Sequence, residues 1–244
     1  MTATRYGFAA RGVKGARVLE LGCGSGNGVG ILLRAGATVT GGDINSPLLS
    51  RARTHYGARA GFVRLSAHDL PFSAASFDLV LFLEATYYVP DMDRAVSEIT
   101  RILRPGGKVR FVNANPERPD FIRSPHSHHY HSADEFRRLL EGSGFEVYTG
   151  GAFPLAVPHG GALRELRSLA VRRIRQALER FGLVPTTLAG RARLKRLVMR
   201  NLRDLPSEIP DDFAPTSEIT ELQAGPVPSF KVIYVEARRP NAPA

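Results

Sequence analysis

Arg17-Val-Leu-Glu-Leu-Gly-Cys-Gly-Ser-Gly-Asn-Gly28 is the stretch whose reading decides the fold. A short apolar run breaks into alternating glycines, and Val29, Ile31, Leu32 and Leu33 follow at helical spacing up to Gly36. Strand, glycine turn and helix in that order form the opening unit of a parallel α/β sheet, whose ligands bind at the carboxyl ends of the strands. Glycines at 22, 24 and 26 let a backbone turn tightly and approach a ligand with no Cβ in the way. The loop does not fit a phosphate clamp. A dinucleotide fingerprint would carry its third glycine or alanine where Asn27 stands, and a Walker-type loop needs a lysine that is missing.

The same alternation continues outward. Ala37–Thr40 reads as a second strand ending at Asp43, with Asn45 or Ser46 capping a helix that has Pro47 in its first turn. Gly61–Leu65 is a third strand leading to His68-Asp-Leu-Pro71, and Phe77–Leu83 is an apolar strand suited to burial on both faces. Met92–Leu103 reads as a helix ended by Pro105-Gly-Gly107, and Lys108–Asn113 as a fifth strand. Ser132-Ala-Asp-Glu135 is a capping box opening a helix, Phe145–Tyr148 a sixth strand and Phe230–Glu236 a seventh. The pattern implies a doubly wound, mostly parallel sheet with Gly22–Gly28, Asp43, Asp69, Glu84 and Asn113 all at strand ends.

Three segments are expected: a core over 1–154, a helical insertion over 155–228, and a final strand with its tail over 229–244. The insertion holds two helix candidates, about 161–181 and 189–203. It also explains the charge. The 244 residues include 33 Lys+Arg against 23 Asp+Glu, a net of +10, but residues 160–204 alone hold 12 basic and 3 acidic side chains, a net of +9. The remainder, with 21 basic and 20 acidic residues, is nearly neutral, so the excess is local and not a general nucleic-acid surface. Its arginines admit four readings: a solvated helix face, a funnel for an acidic substrate, contact with anionic lipid and a lipid-linked acceptor, or RNA.

Other classes fall away on composition. The single cysteine, Cys23, excludes an intrachain disulfide framework and a multi-cysteine zinc site. No apolar run approaches the ~20 residues of a membrane span, and the first residues lack a secretory leader, so a cytoplasmic protein is expected.

Asp43, 17 residues beyond Gly26, can accept hydrogen bonds from both hydroxyls of a ribose, and Asp69 from an adenine amino group. An adenosine ligand without a phosphate clamp fits these residues. In combination, Val18–Gly26, Asp43, His68–Phe72, Ser76–Val80 and Arg101–Gly107 resemble the successive motifs of the class I S-adenosylmethionine-dependent methyltransferases, over about residues 15–150. The resemblance implies a Rossmann-like, seven-stranded sheet whose last strand is antiparallel. It implies S-adenosylmethionine as cofactor, S-adenosylhomocysteine as product, and cofactor contacts from Glu20, Gly22, Cys23, Gly24, Gly26, Asp43, Ile44, Asp69, Leu70 and Glu84.

The acceptor side is expected after the fourth and fifth strands, at Glu84–Tyr88, Asn113–Asn115 and the loop 116–131. Four histidines lie between 126 and 131. In an extended chain neighbouring side chains point to opposite faces, which disfavours a shared metal, so no metal is assigned. The readings kept are a solvated loop, or a general base or substrate contact at one of His126, His128 or His129, with Tyr87 and Tyr88 either packed against cofactor or acceptor or filling the core at the sheet edge. A further, looser resemblance of 84–88, 113–130 and 231–234 to methyltransferases of polysaccharide and natural-product pathways implies a small-molecule acceptor bearing a hydroxyl, amino or carboxylate group. The alternatives are an RNA methyltransferase, against which the Asn/Asp-Pro-Pro-Tyr signature is missing after the fourth strand, and a non-catalytic cofactor-binding scaffold.

Overall fold

The computed structural model describes residues 1–124, 126–155, 206–210 and 216–241. The two helices expected between 161 and 203 lie outside the described residues. The chain divides into two compact units, Met1–Pro154 with Leu205–Ala244, and Leu155–Asp204. Residues 206–210 and 216–228, read from the sequence as insertion, therefore group with the first unit.

Five strands run parallel: β1 (Arg17–Leu21), β2 (Thr38–Asp43), β3 (Gly61–Arg64), β4 (Phe77–Leu83) and β5 (Leu103–Ala114). After them come β6 (Glu146–Pro154), β7 (Thr220–Glu221) and β8 (Phe230–Arg238). The sheet order is β3-β2-β1-β4-β5-β8-β6-β7, with β8 antiparallel to both β5 and β6. Among the described residues the sheet has eight strands where seven were expected. The addition is the two-residue β7, paired to Gly150 and Gly151 on the edge of β6, too short to carry a sequence pattern of its own. β5 also begins earlier than expected, at Leu103, so Pro105-Gly-Gly107 lies inside the strand as an irregularity and not as a helix end.

Helices cover both faces, as a parallel sheet requires. On one side α4 (Met92–Ile102) and α5 (Ala133–Gly142) bury Met92, Val96, Ile99, Ile102, Phe136 and Leu140. On the other, α1 (Thr2–Ala9), α2 (Val29–Arg34) and α3 (Ser46–Tyr56) bury Phe8, Val29, Leu32, Leu49, Ala52 and Tyr56. Caps set the helix starts: Asn45 accepts from Leu48 N at 3.1 Å, and Asp91 from Arg94 N at 3.0 Å. Among the described residues no helix is long and apolar enough to cross a membrane.

α1 had no counterpart in the sequence reading. Its end is held by Arg110, a buried arginine of β5, whose Nη1 donates to the carbonyls of Ala9 and Arg11, both at 2.8 Å. Arg110 Nε donates to Glu236 at 2.7 Å, which neutralises the buried charge. Phe8 packs edge-on against Tyr234 of β8, with ring centroids 5.2 Å apart.

At the start of α5 the capping box is complete. Ser132 Oγ accepts from Glu135 N at 3.2 Å, and Glu135 Oε2 accepts from Ser132 N at 2.7 Å. Removing the hydroxyl with Ser132→Ala should lower the unfolding free energy by ~1 kcal/mol, read as a shifted urea midpoint at unchanged slope.

Candidate active site

Strand order reverses at β1. The chain leaves it toward β2 and β3, then returns to its other flank as β4, and a crevice opens at the carboxyl ends between the two directions. The glycine loop lies there, fastened by Gly22 N and Cys23 N, which donate to Gly42 O at 2.7 and 3.1 Å. Gly22 has φ +68°, and a Cβ on it would stand 2.6 Å from the Ala85 Cβ, so glycine is needed there for packing. Gly24, at φ +57°, is different: a Cβ would meet only Leu48 Cδ1, at 4.0 Å. Its open side is a cradle that leaves backbone accessible to a ligand. Cys23 is buried, and burial pushes its thiol well above the usual range, so it packs and does not react.

Asp43 ends β2 facing this cradle. Its Oδ2 accepts from Gly24 N and its Oδ1 from Asn45 N, both at 2.8 Å. Backbone amides thus aim the carboxylate while each oxygen keeps acceptor capacity for a diol. Ile44 beside it is 69% exposed, an apolar surface of the kind on which a flat aromatic ring can lie. Asp69 is exposed in the turn after β3. Leu70 is placed otherwise: its side chain is in the core and its N–H donates to Glu98 Oε2 at 2.8 Å. It supports the Asp69 turn from behind, with neither amide nor side chain left for a ligand.

Two carboxylates flank the glycine loop, and consecutive residues of α1 cover them. Tyr6 OH donates to Glu20 Oε1 at 2.5 Å, while Glu20 Oε2 is buried without a hydrogen-bond partner. Burial pushes the Glu20 carboxyl up to about 7; the Tyr6 hydrogen bond opposes this and the Asp43 charge adds to it. Arg5 Nη2 stands 2.6 Å from Glu84 Oε1, in ion-pair contact but not aligned as a hydrogen bond. Glu84 has φ +53°, a left-handed backbone that its side chain pays for with strain, at the point where β4 turns into the site. Burial raises its carboxyl too, against the charge of Arg5.

Beyond Glu84 the wall is aromatic. Tyr87 stacks on Tyr130 with centroids 4.2 Å apart and an interplanar angle of 15°, and Phe121 meets Tyr130 edge-on at 4.7 Å. Tyr87 OH donates to Glu84 Oε2 at 3.3 Å. Tyr88, 40% exposed, shares a 2.6 Å hydrogen bond with Ser124 Oγ. The histidine loop is laid against this wall by one backbone bond, His128 N to Tyr87 O at 2.8 Å. Both His128 and His129 are exposed; His129 Nε2 lies 3.1 Å from Glu135 Oε1. His131 turns inward, with an unpartnered Nδ1 and a pKa lowered by burial and by His129. Asn113 receives Thr86 Oγ1 at 2.8 Å and keeps its own buried Nδ2 unpartnered.

Arg5 and Tyr6 are the site residues that sequence reasoning missed. The other is Glu208, whose segment is tied to the helix behind the glycine loop: Ile209 N donates to Asn27 O at 2.9 Å, and Glu208 Oε2 lies 3.0 Å from His55 Nε2 and 3.3 Å from Arg59 Nη1. The one cue was Asn27, which stands in a glycine's place and whose side-chain Nδ2 donates to the carbonyl of Pro206 in the same segment.

Residues 19–111 match the family of methyltransferase domains. A fatty-acid O-methyltransferase of Mycolicibacterium smegmatis is 42% identical over 107 residues, which are 43% of this chain and 39% of that protein. A phthiotriol/phenolphthiotriol dimycocerosates methyltransferase of Mycobacterium leprae is 37% identical over 107 residues, 43% of this chain and 40% of that protein. The match thus spans about two fifths of these curated relatives. Among solved structures, a Thermotoga maritima SAM-dependent methyltransferase, described as a possible histamine N-methyltransferase, superposes with a TM-score of 0.59 at 14% identity, over 97% of this chain and 88% of that one. The matched core is a class I S-adenosylmethionine-dependent methyltransferase domain, and S-adenosylmethionine is the cofactor of that domain. The residues fit it: the open side of Gly24, the aimed oxygens of Asp43, the bare face of Ile44 and the unpartnered Glu20 Oε2 offer what an adenosine and an amino-acid ammonium require.

Because folding raises the Glu20 carboxyl from an ordinary value to about 7, its ionisation weakens the fold. Its contribution is fully favourable below the unfolded pKa and is lost as pH rises through 7. Relative to wild type, Glu20→Gln should therefore gain stability on the order of 3 kcal/mol between pH ~4.5 and ~7.5, then level off, in urea titrations across that range.

Proposed function

We propose that the chain is an S-adenosylmethionine-dependent methyltransferase whose acceptor is an oxygen, carboxylate or hydroxyl, on an apolar small molecule of lipid type. The cradle formed by Gly24 and Asp43 at the reversal of strand order carries the cofactor half of this reading. The wall of Tyr87, Tyr88, Tyr130 and Phe121 supports the acceptor half, since its ring faces offer apolar contact while the hydroxyls of its three tyrosines are already held by Glu84 and Ser124. The names of the mycobacterial relatives, a fatty-acid O-methyltransferase and a phthiotriol lipid methyltransferase, point the same way.

The cofactor supplies an activated methyl group on a sulfonium sulfur. The protein's work is to align the acceptor oxygen with it and to keep water out. Asp43 takes the ribose hydroxyls, Ile44 and Asp69 the adenine, and Glu20 and Glu84 stand at the amino-acid end. Tyr6 and Arg5 of α1 close over that end. A carboxylate acceptor is already ionised at neutral pH and needs no base. A hydroxyl acceptor gives up a proton, and His128 or His129 takes it, with Glu135 orienting His129.

Release of S-adenosylhomocysteine across a panel of fatty acids, long-chain alcohols, sugars, amines and RNA tests this reading directly. Turnover confined to sugars, amines or RNA would overturn the acceptor assignment, and cofactor binding with no turnover on any class would leave a scaffold. Asp43→Ala should weaken cofactor binding ~10-fold or more by calorimetry through the loss of charge-assisted hydrogen bonds. At least one of His128→Ala and His129→Ala should lower turnover on alcohols ~10²–10⁴-fold while leaving that on fatty acids within a few-fold. Equal effects on both acceptors would remove the histidine from the proton's path.

A further inference from the structure

The end of the sheet opposite the glycine loop holds a second cavity, of about 290 Å³, between the loop 11–16, the start of β4 and the first half of β5. It lies the length of β1 away from the cofactor crevice, ~17 Å for five residues of strand. Five cations line it, Arg11, Lys14, Arg104, Lys108 and Arg110, against one acid, Asp78. Both oxygens of Asp78 are engaged: Oδ1 pairs with Arg104 at 2.5 Å and Oδ2 accepts from Arg17 N at 2.6 Å. Glu236, on the neighbouring strand, pairs with Lys108 at 2.6 Å and with Arg110 at 2.7 Å. That leaves Arg11 and Lys14, both exposed, with no carboxylate partner among the described residues.

Counting Glu236 with the lining groups, the cavity keeps a net charge of +3. Outside residues 160–204 the chain is nearly neutral, with 21 basic and 20 acidic side chains, so this clustering is not a share of a general excess. Like charges gathered in one concave place oppose the fold unless an anion joins them. Arginine forks and a lysine suit the oxygens of a phosphate group, and the volume suits one or two such groups and not an extended chain. We propose that this cavity is a second ligand site, which takes the phosphate group of a phosphate ester or phospholipid headgroup.

The test uses inorganic pyrophosphate, by titration calorimetry, and vesicles of phosphatidylcholine with and without phosphatidylglycerol, by flotation. Wild type is compared with Arg11→Gln/Lys14→Gln and with the charge-matched control Arg51→Gln/Arg138→Gln, whose residues are exposed elsewhere on the surface. Affinity for pyrophosphate, for phosphatidylglycerol vesicles, or for both should fall ~10-fold or more in the cavity variant and stay unchanged in the control. Binding of pyrophosphate alone identifies a soluble phosphate ester as the ligand, and binding of vesicles a headgroup. No binding of either probe, or binding that survives in the cavity variant, overturns the proposal. In the second case the charge of residues 160–204 would account for the binding.

Discussion

The parallel pairing of β1 with β2 on one flank and β4 on the other is the constraint on which the site depends. It places the ends of both neighbours beside one loop, so a single crevice receives Glu20 from β1, Asp43 from β2 and Glu84 from just past β4. Gly42 then does more than extend β2. Its carbonyl accepts both amides that open the glycine loop, so the loop's position is inherited from the sheet and not chosen by the loop itself. Rigid elements aim the polar groups, and the glycines keep the space before them clear.

The two carboxylates at the mouth carry the electrostatic cost of this arrangement. Burial favours their protonated forms, and α1 offsets it with one phenol and one guanidinium on adjacent residues. Because Tyr6 and Arg5 touch the two carboxylates that flank the glycine loop, α1 belongs to the candidate site as much as to the core. Its other attachments, Arg110 at its end and Phe8 against Tyr234, are structural and hold it in that place.

Most of the glycine-loop half of the candidate site was legible because its signals are local. A strand run, glycines at alternate positions and an acid at the next strand's end lie within 27 residues, from 17 to 43. The Asn45 cap and the Ser132 capping box are likewise written in four-residue windows. What escaped was set at long range. Thr2–Ala9 has little apolar periodicity, and what makes it a docked helix is Arg110, Glu20, Glu84 and Tyr234. Glu208 reaches His55 and Arg59 across the fold, and no local pattern announces such a contact. Leu70 was misplaced for a related reason: a motif gives its position in the chain, but only Glu98 shows that its amide is already taken.

The place of β8 has a consequence for the order of assembly. Synthesised after β5 and β6, it inserts between them and supplies hydrogen bonds to both, so until it arrives those strands present open edges. Phe8, made earlier, lacks its ring contact with Tyr234 until then. A ribosome-bound chain ending before residue 230 therefore holds its glycine loop and Asp43 without the strand that supports the covering helix. The nascent protein therefore passes through a stage in which β5 and β6 each present an edge that β8 will later pair, when a chaperone has most to protect.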